Sequence, residues 1–174
     1  MAKASSDTIY ALASGQVPAA VAVVRLSGPA TPSVLVSVCG SVPAARTATL
    51  RTFRNRDGAP IDQGLVLWFP GPASFTGEDS AEFHLHGGVA VVSAMFGALS
   101  EHDGLRMAEP GEFSRRAFGN GKLDLTEVEG LADLVAAGTE QQRRQALDQS
   151  RGMLSGLLQE WRGKNDPPRA PVGA

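Results

Sequence analysis

The chain has 174 residues, enough for one ordinary domain or one domain with a small appendage. Apolar residues make up 43% and charged residues 20%, as in a soluble globular protein, and a net charge of −2 argues against a chain that holds RNA by itself through a basic surface. The lone Cys39 excludes an internal disulfide or a cysteine metal cluster, and no apolar run approaches the ~18 residues of a membrane span. The first six residues read as too short and too polar for a secretory signal, so a cytoplasmic protein is expected.

Residues 8–13 read as a first short strand. Residues 21–26 form a continuous apolar run ending in Arg25-Leu26-Ser27-Gly28, which predicts a strand buried on both faces. A helix is predicted over 31–38, with Thr31 as cap, Pro32 at the first position and Gly40 just beyond it. Cys39 then reads as a small buried side chain. Residues 48–54 and 64–69 look like strands joined through Asn55-Arg56-Asp57-Gly58, a hairpin signal, and Pro70-Gly71-Pro72 stops the second of them. In 80–86, Glu82, His84 and His86 fall on one face and Ala81, Phe83 and Leu85 on the other. Gly87-Gly88 leads into a predicted helix over 89–100. This order predicts an α+β domain, a mixed β-sheet with a helical layer, and two helices follow it.

The run from Pro110 to Leu125 carries the most information. Pro110 can open a short helix over 112–118, and Gly119, Asn120 and Gly121 can close it. Asp124 with Glu127 forms a capping box for the next helix, whose apolar face is Val128, Leu131, Ala132, Leu134 and Val135. Thr139 with Gln142 reads as a second capping box, opening a helix over 139–162 with a seam of Leu147, Ser150, Leu154, Leu157 and Trp161. Residues 165–174, with three prolines and no pattern, read as a disordered tail. Lys122 sits between two helices on a constrained turn beside glycines, which suits an anionic group; a solvated lysine on a helix–turn–helix linker is the plain alternative.

The Pro110–Leu125 run resembles a segment of the tRNA-modifying GTPase family MnmE/TrmE. Residues 67–79, Glu82, His86-Gly87-Gly88, Asp7-Thr8-Ile9 and residues 24–28 resemble the same family, in the family's order. The resemblance implies an N-terminal folate-binding and dimerisation domain over 1–122, the start of a helical domain over 123–164, the two helices there being those of an incomplete helical domain, and a tail over 165–174. It also implies a chain truncated before the GTPase domain. A P-loop needs G-x-x-x-x-G-K-[ST]. Gly121-Lys122 is followed by Leu123 and preceded by Arg116 at the first glycine position, and Gly163-Lys164 is followed by Asn165 with Leu158 there. Neither pair is a P-loop, so no GTP, potassium or magnesium site is expected in this chain.

Matched position by position, the resemblance places the ligand contacts at Arg25, Glu82 and Lys122, for a 5-formyl-tetrahydrofolate-type ligand near a homodimer interface. A pterin edge presents adjacent N–H donors that suit a carboxylate, and tail carboxylates suit cations. Without the resemblance, Arg25 reads equally as a strand-end ion pair and Glu82 as a solvated strand residue. The family's C-terminal lysine and reactive cysteine have no counterpart here. Pro18, Ala19 and Ala20 stand where the family carries glycines, which stiffens a loop near the ligand. The implied partners are a second copy, a flavin-dependent MnmG/GidA-type protein and tRNA. A dimerisation fragment with an incomplete folate site is the alternative; no nucleophile or acid–base pair is placed for a free-standing transferase.

Overall fold

The computed structural model describes residues 7–150. Its contacts divide the chain into two compact units between Lys122 and Leu123. The first unit runs β1 (Thr8–Leu12), β2 (Val21–Ser27), α1 (Thr31–Cys39), β3 (Thr49–Arg54), β4 (Pro60–Phe69), β5 (Ser80–His86), α2 (Val89–Ser100), β6 (Leu105–Met107) and α3 (Glu112–Gly119). The six strands form one mixed sheet in the order β3-β4-β5-β2-β1-β6. Every pairing is antiparallel except the parallel pair β1–β6. The predicted α+β architecture is therefore present.

Strand alternation decides which face is core. Ala22, Val24 and Leu26 of β2, Val66 and Trp68 of β4, and Ala81, Phe83 and Leu85 of β5 are buried together with Val34, Leu35 and Val38 of α1 and Val92, Met95 and Leu99 of α2. Phe53 of β3 meets Phe83 edge to face at 5.3 Å, and each fully buried aromatic contributes about 2–3 kcal/mol. Cys39 lies in the same core, and burial pushes its thiol up to about 12.

The opposite face is different. There β2 presents Val23 and Arg25 half-buried and Val21 exposed, so the expectation of a strand buried on both faces is corrected. An unbroken apolar run cannot reveal that α1 and α2 pack on one face of the sheet only. Four further details differ from expectation. Thr31 is not the cap of α1: its hydroxyl donates to the carbonyls of Gly28 and Asp79, and Ala30 takes the cap position. β4 begins at Pro60, earlier than predicted, and β6 was not anticipated. Pro110 lies outside α3, at the corner of a turn closed by the Glu112 amide on the Glu109 carbonyl; Gly111, at φ 72°, supplies the left-handed second corner and the N-cap.

In the second unit, α4 (Leu125–Ala136) opens on the predicted capping box, with Asp124 and Glu127 exchanging bonds of 2.8 and 2.7 Å. α5 (Glu140–Ser150) opens on the Thr139–Gln142 pair. The two helices approach closely at Gly130, where an added Cβ would stand 2.6 Å from the Ser150 amide nitrogen. Val135, placed on the predicted apolar face, is 85% exposed. The predicted seam residues Leu154, Leu157 and Trp161 and the tail 165–174 lie outside the described residues. Among the described residues, no helix is long and apolar enough to cross a membrane.

Candidate functional site

The antiparallel register of β2 and β5 sets Arg25 opposite Glu82 on the sheet face away from α1 and α2. Nε and Nη2 of Arg25 both donate to Glu82 Oε1, at 3.0 and 2.8 Å. The guanidinium also lies 5.6 Å from the Phe75 ring centroid and 5.8 Å from that of Phe113, within cation–π range of both. Fifty-seven residues apart in sequence, the two charges become one fixed pair. The second carboxylate oxygen, Glu82 Oε2, accepts no hydrogen bond among the described residues. His84 Nε2 stands 3.5 Å from it and is buried without a hydrogen-bond partner.

The loop after β4 roofs this pair. Ser27 and Thr76 hydroxyls share a 2.7 Å bond, the Ser27 hydroxyl donates to Glu78 Oε2 at 2.7 Å, and Thr76 and Ser80 meet at 3.2 Å. Together loop and strands enclose a cavity of about 190 Å³, lined among others by Arg25, Arg46, Phe69, Ser74, Phe75 and Glu82. Sequence reasoning missed Arg46. It lies in an irregular stretch between α1 and β3, where no periodicity or motif singles it out.

Lys122 is placed elsewhere. It lines a separate groove with Pro29, Pro72, Gly77, Glu78, Asp79 and Asn120. The end of α3 puts it there: the Lys122 amide donates to the Ala117 carbonyl and the Gly121 amide to the Phe118 carbonyl, a Schellman closure requiring the φ of 67° at Gly121. Asn120 Nδ2 donates to the Thr76 carbonyl at 2.8 Å, and a Cβ on Gly77 would stand 3.1 Å from the Lys122 stem. The structure thus brings Arg25 and Glu82 together in one cavity and sets Lys122 against the other side of the same loop.

An ionic network fixes that loop to the domain. Arg116, 8% exposed, reaches Asp7 at 2.8 Å, Glu112 at 3.1 Å and Glu78 at 3.3 Å. Arg106 clamps Glu112 with bonds of 2.6 and 2.8 Å and also reaches Asp7. Hydrogen bonds from Arg106 above all, then from the Glu109 amide and Arg116, hold the Glu112 carboxyl down at about 2. His84 and His86 share a strand face as expected, but His86 pairs with Asp62 at 2.9 Å. Among the described residues, no group of three His, Cys, Asp or Glu side chains is placed to hold a metal.

Fold and site together define an α+β module that carries a charged, aromatic-walled cavity on the open face of a mixed sheet. Residues 8–122 match the family described as GTP-binding protein TrmE N-terminus, and the chain belongs to that family. It is 60% identical over 97% of its length to the tRNA modification GTPase MnmE of Sinorhizobium medicae (strain WSM419). It is 59% identical over 98% to that of Rhizobium meliloti (strain 1021), and 59% over 97% to that of Brucella anthropi. The chain spans 38–39% of the length of these relatives.

Proposed function

We propose that this chain is the folate-binding and dimerising module of a tRNA wobble-uridine modification GTPase, taking a 5-formyl-tetrahydrofolate-type ligand. The observation that carries the reading is the Glu82 carboxylate on the cavity lining: Arg25 holds it in place through one oxygen, and the other accepts no hydrogen bond among the described residues. Adjacent N–H donors on a pterin edge match such an acceptor, and a carboxylate that accepts them loses less than one left desolvated alone. His84 Nε2, buried without a hydrogen-bond partner 3.5 Å from Glu82 Oε2, leaves that oxygen no competing donor bond. Phe69 and Phe75 give flat apolar walls of the kind that hold ring systems.

In this reading Arg25 orients Glu82, Glu82 recognises the ring edge, and the loop excludes water from both. Lys122 is assigned to a carboxylate of the ligand tail because it matches the family's lysine and packs on the loop that roofs the cavity. The bound folate supplies a one-carbon unit; the flavin-dependent MnmG/GidA-type partner and tRNA belong to the complete protein's reaction. GTP hydrolysis is not assigned to this chain.

Calorimetric titration with 5-formyl-tetrahydrofolate tests the reading. Wild type is expected to bind, and Glu82→Gln to bind about 30-fold or more weakly, since an amide presents an NH2 where the ring donates and loses the charge. A folded wild type giving no binding, or a Glu82→Gln variant binding as tightly, contradicts it.

One observation favours the second reading, a dimerisation fragment. Leu50 and Leu65 pair across β3–β4 on the same open face, and Val21 lies on it as well, at exposures of 58%, 41% and 55%. Apolar residues grouped so suit a second copy of the chain. Light scattering on the same sample is expected to give a dimer mass; a dimer unaffected by folate and by Lys122→Ala would favour the second reading over the first.

A further inference from the structure

The cavity holds two arginines and one carboxylate. Arg25 is neutralised by Glu82, whereas Arg46 has no carboxylate at ion-pair distance among the described residues. The Arg46 guanidinium lies 5.7 Å from the Phe69 ring centroid and donates through Nη2 to the Ala73 carbonyl, which leaves further N–H donors of the fork uncommitted. Its backbone sits at φ 60°, the only non-glycine residue in the left-handed region among the described residues. Pairing at the end of β4 holds it there: the Arg46 amide donates to the Trp68 carbonyl at 2.8 Å, and Ala45 bridges Trp68 in parallel. A long charged side chain on a disfavoured backbone, secured from both sides, is a costly way to satisfy one loop carbonyl.

Size gives the direction. At about 190 Å³ the cavity is below the roughly 300 Å³ at the low end of drug-sized pockets, so it takes the head of an elongated ligand and the rest must leave through the mouth. Glu82 and Ser80 line the floor on β5, while Arg46 is solvent-exposed at the rim. We infer that Arg46 is a ligand-binding residue that pairs with a carboxylate on the ligand's tail as it leaves the cavity, reading the anionic end while Glu82 reads the ring end. This assignment rests on the folate reading above and adds a contact to it. A guanidinium stacked on an aromatic ring is already oriented, and a planar carboxylate matches its paired donors.

The test crosses a protein change with a ligand change. Wild type and Arg46→Gln are titrated with 5-formyl-tetrahydrofolate and with the same molecule carrying both tail carboxylates as amides. Glutamine removes the charge but ends short of the Nη2 position, and any loosening of the loop from the lost Ala73 contact weakens both ligands alike. Arg46→Gln is expected to weaken the acid form on the order of tenfold and to leave the diamide within about twofold, and Arg46→Lys to fall between. Equal weakening of both ligands would mean that Arg46 only braces the loop, and no effect on either would mean that it does not meet the ligand; each result overturns the assignment while leaving folate binding intact. Failure of wild type to bind either ligand would instead overturn the folate reading itself, and this assignment with it.

Discussion

Arg116→Met is expected to cost the fold about 3 kcal/mol, read as a lowered denaturation midpoint at unchanged slope. Removing one partner of a buried ion cluster strands the others, typically at about 3–5 kcal/mol, and the low end applies because Arg106 still holds Glu112. Glu78 suffers most: it loses Arg116 while its other oxygen contact, the Ser27 hydroxyl, is neutral. The loop over the cavity is therefore expected to loosen and ligand affinity to fall with stability. Arg115→Ala is the matched control, since its pair with Glu109 is 60–65% exposed and worth well under ~1 kcal/mol. The network also has a pH signature. Glu112 lies below its ordinary value of 4.5, so its contribution is complete above that pH and is lost as pH falls towards about 2. Stability rising on acidification through that window, or an Arg116→Met midpoint equal to wild type, would contradict the account.

Gly64→Ala is expected to be at least as damaging. A Cβ at this position would stand 2.0 Å from the His84 carbonyl oxygen and 3.0 Å from Phe53 Cε2. Backbone cannot rotate aside as a side chain can, so β4 and β5 must separate, and a cost of about 3 kcal/mol or more follows, at or beyond the upper end of ordinary overpacking. His84 is two residues from Glu82 on the same strand, so the change reaches the cavity floor. Gly97→Ala should do the reverse. Gly97 is exposed within α2 with open space around its Cα, and alanine there gains about 0.5–1 kcal/mol. Urea unfolding of the two variants beside wild type reads both signs; a Gly64→Ala protein as stable as wild type would refute the close approach.

The contrast between Gly64 and Gly97 also marks what sequence can express. Both are single glycines inside regular elements, and only the partner strand tells them apart. The period-two alternation of residues 80–86 was legible, and it placed Glu82 and His84 on a common face. Arg25 and Glu82 were singled out by resemblance, but their pairing depends on the β2–β5 register, which no local pattern carries. The continuous run of residues 21–26 hid the open face, because apolar residues there serve both a helix-covered core and a surface that is only partly roofed. β6 has three residues and exists through its parallel pairing with β1, so it left no local signal. Pro110 was misplaced because proline suits both a helix's first turn and a turn's first corner, and only the positive φ of Gly111 distinguishes them. Arg46 could not be found at all: its relevance comes from Phe69 and Ala73, which fold towards it from a later strand and loop.

A crystal structure of the protein with 5-formyl-tetrahydrofolate tests the central claim most directly. The ring system is expected inside the cavity with its N–H edge on Glu82 Oε2, and the tail emerging past Arg46. A ligand bound only in the groove beside Lys122, with the Arg25–Glu82 cavity unchanged, would contradict it.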